Sequence, residues 1–380
     1  MSFSAFDYRC MATALKLARR GLNTTHPNPR VGCVIARNEL LVGSGWHQKA
    51  GEAHAEINAL AAAGDKANGA TVYVTLEPCS HSGKTPPCVD ALIEAKITRL
   101  VCAIEDSNPA VSGAGFKRLQ RAGIEVQSGL LAVQAEELNA GFLMRMRHGR
   151  PWVRIKLAQS MDGHIALSDG SSQWISGPEA RADVQHWRAR SDAILTGVGT
   201  VLADDPSLNV RIGENAGGEN AGGENAGGDN ARQPMRVIAD SHWRTPADAR
   251  LLSIAGKVLI AGLDQQDIPE ALAKTGAEFV ALPSSDGRVD LEQLLQELGL
   301  RGINEVQVEA GATLCGALIQ QELVDEVLIY QAPVLLGGGA VSPFATPRLD
   351  NMDDRVHLKW IDSRRIGNDQ RLRLKPVWGK

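Results

Sequence analysis

The sequence predicts an α/β protein built as two domains. Short apolar runs of strand length alternate with helical runs along most of the chain, the pattern of a sheet with helices on its faces. At 380 residues the chain suits two or three domains of ~100–200 residues each. Between Ala140 and Pro151 the pattern changes: Arg145, Arg147, His148, Gly149 and Arg150 crowd together and Pro151 resets the backbone. We place the boundary there, with one domain over residues 1–148 and a second over 149–380.

In the first domain, residues 4–21 read as a capped amphipathic helix with Ala12, Leu15 and Ala18 at helical spacing and Gly21 at its end. The loop Thr25-His26-Pro27-Asn28-Pro29 leads into a buried strand at 31–35, whose hairpin partner lies at 40–46. His54 begins a second apolar helix that Gly64 stops. Residues 71–76 read as a buried strand. Pro78 cannot pair in a sheet, so Cys79 is expected just past the strand end. Pro87 is suited to the first turn of a helix that follows Cys88. A strand at 100–104, a polar loop at 105–109, a helix near 114–120 and a short strand at 124–126 complete the layer.

Within this layer His54-Ala55-Glu56, Pro78-Cys79 and Pro87-Cys88 stand out. One His and two Cys fill three positions of a tetrahedral zinc site and leave the fourth for a water. Bound to zinc, that water has its pKa lowered toward neutrality. Glu56, two residues beyond His54, is placed to shuttle a proton between the water and a leaving amine rather than to bind metal. His-x-Glu followed by Pro-Cys and a further Cys is the pattern of zinc-dependent nucleobase deaminases. A structural zinc knuckle, or two buried cysteines with an unrelated His, would explain neither Glu56 nor both Pro-Cys pairs.

The second half restarts with a strand at 152–158, a turn at 160–163 and a helix at 178–190. After the next strand, 193–196, come Gly197, Gly199 and Thr200. Glycines at a strand-to-helix turn let backbone N–H groups approach a phosphate. Further strands are expected at 236–239, 257–260, 306–309 and 325–330. The 306–309 strand runs into Glu309-Ala310-Gly311-Ala312-Thr313-Leu314-Cys315-Gly316, a second cradle of the same kind. Two cradles in one α/β domain point to a nucleotide cofactor, although the full dinucleotide glycine fingerprint is absent. Glu214-Asn215-Ala216-Gly217-Gly218 repeats from Glu219 and Glu224 and decays at Asp229. With no apolar side chain larger than Ala, residues 214–231 read as a flexible loop expansion without a catalytic role.

Charge and composition exclude other classes. Residues 1–150 carry 17 Lys and Arg against 13 Asp and Glu, a net +4; the remainder carries 23 against 31, a net −8. Only 4% of the residues are aromatic. Nucleic-acid binding needs a basic surface with stacking aromatics, so none is expected. Six cysteines in a chain this long are no disulfide framework. Cys10, Cys33, Cys102 and Cys315 sit in apolar patterns and are expected to be buried thiols. The first residues lack a signal layout, and no apolar run reaches the ~18 residues needed to span a membrane. The cytoplasm is the expected compartment.

The chain resembles the bifunctional riboflavin-biosynthesis deaminase/reductase family. The zinc motif carries the resemblance with its eight-residue gap between Cys79 and Cys88, where most related deaminases have Cys-x-x-Cys. So do His26-Pro27-Asn28-Pro29-Arg30-Val31-Gly32 and Gly45-Trp46-His47. It continues through Lys156-Leu157-Ala158-Gln159-Ser160-Met161-Asp162-Gly163, Gln173-Trp174-Ile175-Ser176 and Thr200-Val201-Leu202-Ala203-Asp204-Asp205-Pro206, and it covers nearly the whole chain. The 214–231 repeat is the departure.

The resemblance implies a cytidine-deaminase-like domain followed by a dihydrofolate-reductase-like domain. It implies zinc and NADPH as cofactors and phosphoribosyl pyrimidines as substrates. The first of these would be 2,5-diamino-6-(5-phosphoribosylamino)pyrimidin-4-one, deaminated and then reduced at its ribosyl chain. Asn28, His47, His81, Lys84, Thr85, Asp106 and Asn108 match the deaminase pocket. Ala158, Trp174, Thr200, Asp204, Gly311, Ala312, Thr313, Leu314, Cys315, Gly316 and Ala317 match cofactor positions, and Ser241, a hydroxyl near the cradles, is expected to bind the cofactor with them. Lys156, Ser172, Arg188, Leu208, Arg211 and Glu309 match substrate positions in the reductase, where Arg188 and Arg211 make chemical sense as phosphate ligands. A homo-oligomer assembled through the reductase domain is expected. With no Arg next to either cradle in sequence, the cofactor's 2′-phosphate is expected to rest on hydroxyls and backbone donors.

Overall fold

The computed structural model describes residues 3–80, 86–108, 112–212, 232–284 and 286–379. His81, Lys84 and Thr85, like the 214–231 repeat, lie outside the described residues. The chain divides into two units, one ending at Gly149 and the other beginning at Arg150.

Ser4 opens the first unit as the N-cap of α1 (Ala5–Ala18), in a capping box in which it accepts from the Asp7 N–H and Asp7 accepts from its own. The strands β1 (Gly32–Arg37) and β2 (Leu40–Trp46) form the expected hairpin. Then come α2 (Ala55–Ala63), β3 (Thr71–Val74), α3 (Cys88–Glu94), β4 (Arg99–Cys102), α4 (Ala114–Arg121) and β5 (Glu125–Ser128). Two helices close the unit, α5 (Ala132–Leu138) and α6 (Ala140–His148). The sheet runs β2-β1-β3-β4-β5, antiparallel at β2-β1-β3 and parallel from β3 to β5.

Alternate residues of these strands feed two apolar layers. Val34, Tyr73 and Val101 pack with Met11, Ala14 and Leu143 on one face. Cys33, Val72 and Leu100 pack with Ala59, Val89 and Leu92 on the other. Small residues let α2 lie almost on β2: a Cβ on Gly45 would stand 2.6 Å from the Ala59 nitrogen. That close approach fixes where α2 begins, and therefore where His54 stands.

The second unit contains β6 (Trp152–Gln159), α7 (Pro178–Arg190), β7 (Ala193–Gly197), α8 (Val198–Asp204) and β8 (Met235–Ala239). It continues with the short α9 (Arg250–Ser253), β9 (Val258–Leu263), the short α10 (Glu270–Ala273), β10 (Glu278–Leu282) and α11 (Leu291–Leu300). The last elements are β11 (Glu305–Val308), α12 (Ala312–Gln320), β12 (Glu326–Gln331), β13 (His357–Ile366) and β14 (Asp369–Val377). The nine-stranded sheet has the order β10-β9-β8-β7-β11-β6-β12-β14-β13. It is parallel from β10 to β12, and the β13–β14 hairpin joins antiparallel at one side. Buried apolar residues of nearly every strand make one core with α11 and α12.

Several elements differ from expectation. Residues 140–148 form α6, not a break: Arg145, Arg147 and His148 make its basic last turn, which suits the negative end of a helix dipole, and Gly149 caps it at φ 71°. Pro87 precedes its helix as N-cap instead of occupying the first turn. The exposed β13, along with β10 and α11, was not anticipated; most β13 side chains face outward, so the strand lacks the alternation that marks a half-buried one. Cys10, Cys33, Cys102 and Cys315 are buried thiols as expected.

Candidate active sites

Three ends of regular structure meet in the first unit. His54 is the N-cap residue of α2, Cys88 the first residue of α3, and Cys79 follows Pro78 beyond the end of β3. One ligand atom from each lies within 4.8 Å of the others. His54 Nδ1 is 3.5 Å from Cys79 Sγ and 3.3 Å from Cys88 Sγ, and the Cys88 backbone N–H donates to Cys79 Sγ at 3.3 Å. The Cys88 thiol donating to Cys79, with His54 and that backbone N–H, holds Cys79 well below the ordinary thiol range. The nitrogen and two sulfurs fit a borderline-soft, tetrahedral ion such as zinc, and three protein ligands leave one position open.

Glu56 stands in the first turn of α2, buried and outside this donor set. Burial first, and then the Cys79 charge, push its carboxyl up to about 7. A carboxyl near 7 can both take and give a proton at neutral pH. Beside it, His47 is buried and its ring meets the His54 ring edge-on at 5.4 Å. His47 Nδ1 bonds to the Ala53 carbonyl at 3.2 Å, which makes it the protonated nitrogen and leaves Nε2 to accept from Asn28 Nδ2 at 3.1 Å. Burial lowers the His47 pKa and keeps the ring neutral. Asn28, His47 and His54 thus stand in sequence of contact, with Glu56 two residues beyond His54 on α2.

Asp106 and Asn108 occupy the loop after β4, where the Asn108 N–H donates to Asp106 Oδ1 at 2.9 Å. Glu77 holds this loop. Its buried carboxylate accepts from the N–H groups of Asp106 (3.2 Å), Gly113 (3.0 Å), Gly115 (2.9 Å) and Phe116 (3.3 Å). Sequence reasoning passed over Glu77 as part of Glu-Pro-Cys; an acid closing an apolar strand was the available signal.

In the second unit a cavity of about 1740 Å³ opens beyond the carboxyl ends of β6, β7, β8 and β11. Open parallel sheets bind ligands at this edge, where strand order reverses. Lys156, Ser172, Arg188, Leu208, Arg211 and Glu309 line it. So do Ala158, Trp174, Thr200, Asp204 and Ser241, with Gly311, Ala312, Thr313, Leu314 and Ala317 at the second cradle. Cys315 and Gly316 do not. The Cys315 side chain is in the core, and Gly316 lies against the Ala345 backbone, where a Cβ would meet the carbonyl oxygen at 2.5 Å. A helix turns each successive residue away from the last, so an unbroken run of seven cannot all face one cavity.

Arg188 forms a two-pronged pair with Glu309 (2.7 and 2.8 Å) and donates to the Asn209 carbonyl at 2.9 Å. Burial works against the Glu309 charge, yet Arg188 and then Lys156 hold its carboxyl down to about 2. Arg211 also lines this end of the cavity and forms no ion pair among the described residues. At the other end stand His242, Arg244, Arg250 and Arg288, which the sequence reading did not place near the cradles.

A His/Cys/Cys centre with a buried carboxyl, followed by an open parallel sheet with two glycine cradles, defines a bifunctional deaminase and reductase. Family models agree: residues 4–104 match the cytidine and deoxycytidylate deaminase zinc-binding region, and residues 151–372 match the RibD C-terminal domain. The chain is 48% identical to the riboflavin biosynthesis protein RibD of Escherichia coli (strain K12) over 370 residues, 97% of this chain and 99% of that protein. It is 46% identical over 380 residues to RibD of Haemophilus influenzae, 99% of each chain. Among solved structures it is similar to Acinetobacter baumannii RibD (form 1; TM-score 0.88, 43% identity, 98% of this chain and 99% of that one). The chain belongs to the RibD family of bifunctional riboflavin-biosynthesis deaminase/reductases. Its first unit is cytidine-deaminase-like and its second dihydrofolate-reductase-like.

Proposed function

We propose that the first unit deaminates 2,5-diamino-6-(5-phosphoribosylamino)pyrimidin-4-one. The second unit then reduces the ribosyl chain of the product with NADPH, giving 5-amino-6-(5-phosphoribitylamino)uracil. A similar structure from Thermotoga maritima is titled a diaminohydroxyphosphoribosylaminopyrimidine deaminase/5-amino-6-(5-phosphoribosylamino)uracil reductase; it has a TM-score of 0.83 and 30% identity, over 98% of this chain and 99% of that one.

The observation that carries the reading is Glu56, buried beside three metal-type donors with its carboxyl at about 7. Zinc on His54, Cys79 and Cys88 would supply an activated water at neutral pH. Glu56 takes a proton on its carboxylate and returns it to the departing amine. Neutral His47, fixed by Ala53, and Asn28 orient the pyrimidine edge. Asp106 and Asn108 wall the same pocket, and His81, Lys84 and Thr85 belong to the ribose-phosphate end of the reading.

In the second unit NADPH would supply the hydride from a position over the two cradles, toward Ala158 and Trp174. Lys156 and Glu309 hold the ribose, and Arg211 meets the substrate phosphate. Burial first, and then Arg188, lower the Lys156 pKa, so its ammonium gains from an anion entering the cavity.

Incubating the protein with the diaminopyrimidine phosphate, with and without NADPH, and weighing the products tests the whole. Deaminated product is expected without NADPH, and the doubly hydrogenated product with it; unchanged substrate in both would refute the reading. Arg211→Ala should raise the reductase KM for substrate about 10–100-fold, the worth of a charge-assisted bond, with NADPH affinity unchanged. Weak NADPH binding with substrate KM intact would move Arg211 to the cofactor. Homo-oligomerisation through this unit belongs to the same reading. β13 ends the sheet order as a ten-residue strand with Leu358 and Trp360 exposed, a surface suited to a second copy. Sedimentation at monomer mass would count against it.

A further inference from the structure

We propose that Tyr330, with its hydroxyl fixed by Asp183, is a positioning residue for reduction: its ring holds the Lys156 ammonium in the cavity of the second unit. The proposal deepens the reading of Lys156 given above and rests on it.

The sheet register brings the two side chains together. On β6 the apolar core takes Val153, Ile155 and Leu157, which sends Arg154, Lys156 and Ala158 to the opposite face. On β12 Val327 and Ile329 enter the same core, so Leu328 and Tyr330 share that opposite face, where they pack with Ala180, Val184 and Trp187 of α7. Lys156 stands across from Leu328, and Ala158 across from Tyr330. Lys156 and Tyr330 are therefore diagonal neighbours on one face of the sheet. Lys156 Nζ lies 5.9 Å from the centroid of the Tyr330 ring, within the ~6 Å over which a ring face attracts a cation.

The ring is fixed in this place. Tyr330 is fully buried, and its hydroxyl donates to Asp183 Oδ2 at 2.5 Å. Asp183, on α7, also accepts from Arg371 Nη1 at 2.9 Å and from the Trp187 indole N–H at 3.3 Å. Arg371 is held in turn, its Nη2 donating to Asp362 Oδ2 at 3.1 Å. Burial first, and then Asp183, push the Tyr330 phenol above its ordinary value, so it keeps its proton. A phenol that donates to a carboxylate gains electron density in its ring, which strengthens the pull of the ring face on a cation.

Lys156 needs such a partner. It forms no ion pair among the described residues, and burial lowers its pKa while Glu309 raises it and Arg188 lowers it. Glu309 acts from β11, but its oxygens are already engaged. Oε1 accepts from Arg188 Nε and from Gln307 Nε2, each at 2.7 Å, and Oε2 accepts from Arg188 Nη2 at 2.8 Å. The charged and titratable groups around Lys156 are thus Glu309 of β11, Arg188 of α7 and Tyr330 of β12. Asp183 and Arg371 stand behind the ring, and Arg154 is two residues away on the same face.

NMR titration of the full chain, labelled with carbon-13 at the lysine Cε, tests this, with the Lys156 signal assigned by its loss in Lys156→Met. In Tyr330→Leu the Lys156 midpoint should fall by ~1 pH unit, about tenfold in proton affinity, and in Tyr330→Phe and Asp183→Asn by less. The direction follows from the charge: an ammonium that loses an attraction gives up its proton more easily. In the reduction of supplied deaminated substrate, the alkaline limb of kcat/KM should move down with the midpoint, and the substrate KM should rise ~10-fold with NADPH affinity unchanged. Adding Tyr330→Leu to Lys156→Met should cost nothing further, because Tyr330 acts through Lys156. An unmoved midpoint, or an equal cost of Tyr330→Leu with and without Lys156, would overturn the proposal and leave the reductase reading standing. Normal reduction by Lys156→Met would overturn the proposal together with the role given to Lys156.

Discussion

Glu56→Gln is expected to keep about one zinc per chain and to lose deamination by ~10²–10⁴-fold, the usual worth of a positioned acid–base group. The metal should stay because Glu56 is not among the three donors gathered at the helix ends. Activity should fall because the amide fills the same buried space but cannot cycle a proton. Glu56 is buried, so a solvent water cannot readily take its place. Metal content and ammonia release, measured on the same sample, separate the two effects. Loss of zinc would make Glu56 a ligand, and full activity would remove it from the reaction.

Cys79→Ser is expected to abolish zinc binding and deamination together and to leave NADPH-dependent reduction of supplied deaminated substrate near its normal rate. A serine hydroxyl is a far poorer zinc ligand than a thiolate, and the site needs all three donors. The second half of the expectation follows from packing. Each unit has its own sheet and its own apolar layers, five strands in the first and nine in the second. The residues expected to carry reduction all lie beyond Arg150. Loss of both activities in a protein with an unchanged circular dichroism spectrum would show that the units do not work independently.

The deaminase centre was legible because its signals are local. His54 and Glu56 are neighbours on one helical turn, and each cysteine is marked by the proline before it. Most cavity residues of the second unit were reached through resemblance, which gave the second cradle as an unbroken run; the Cys315 side chain and the α-carbon of Gly316 lie on the core side of α12. The cations at the far end of the cavity were missed for the opposite reason. Arg244 and Arg288 are distant in sequence, and the two segments that carry them meet where the Val289 N–H donates to Ser241. Among the elements, α6 was hidden by its own basic last turn, which read as a linker, and β13 by facing outward along most of its length.

Glu77 has a consequence for how two segments of the first unit are joined. One carboxylate grips four N–H groups from a segment 29 to 39 residues further along, two residues before the cysteine that would hold the metal. Among the described residues, Glu77 thus ties the segment bearing Cys79 to the segment bearing Asp106. Loss of that one carboxylate would leave four backbone N–H groups from the second segment without their acceptor at once.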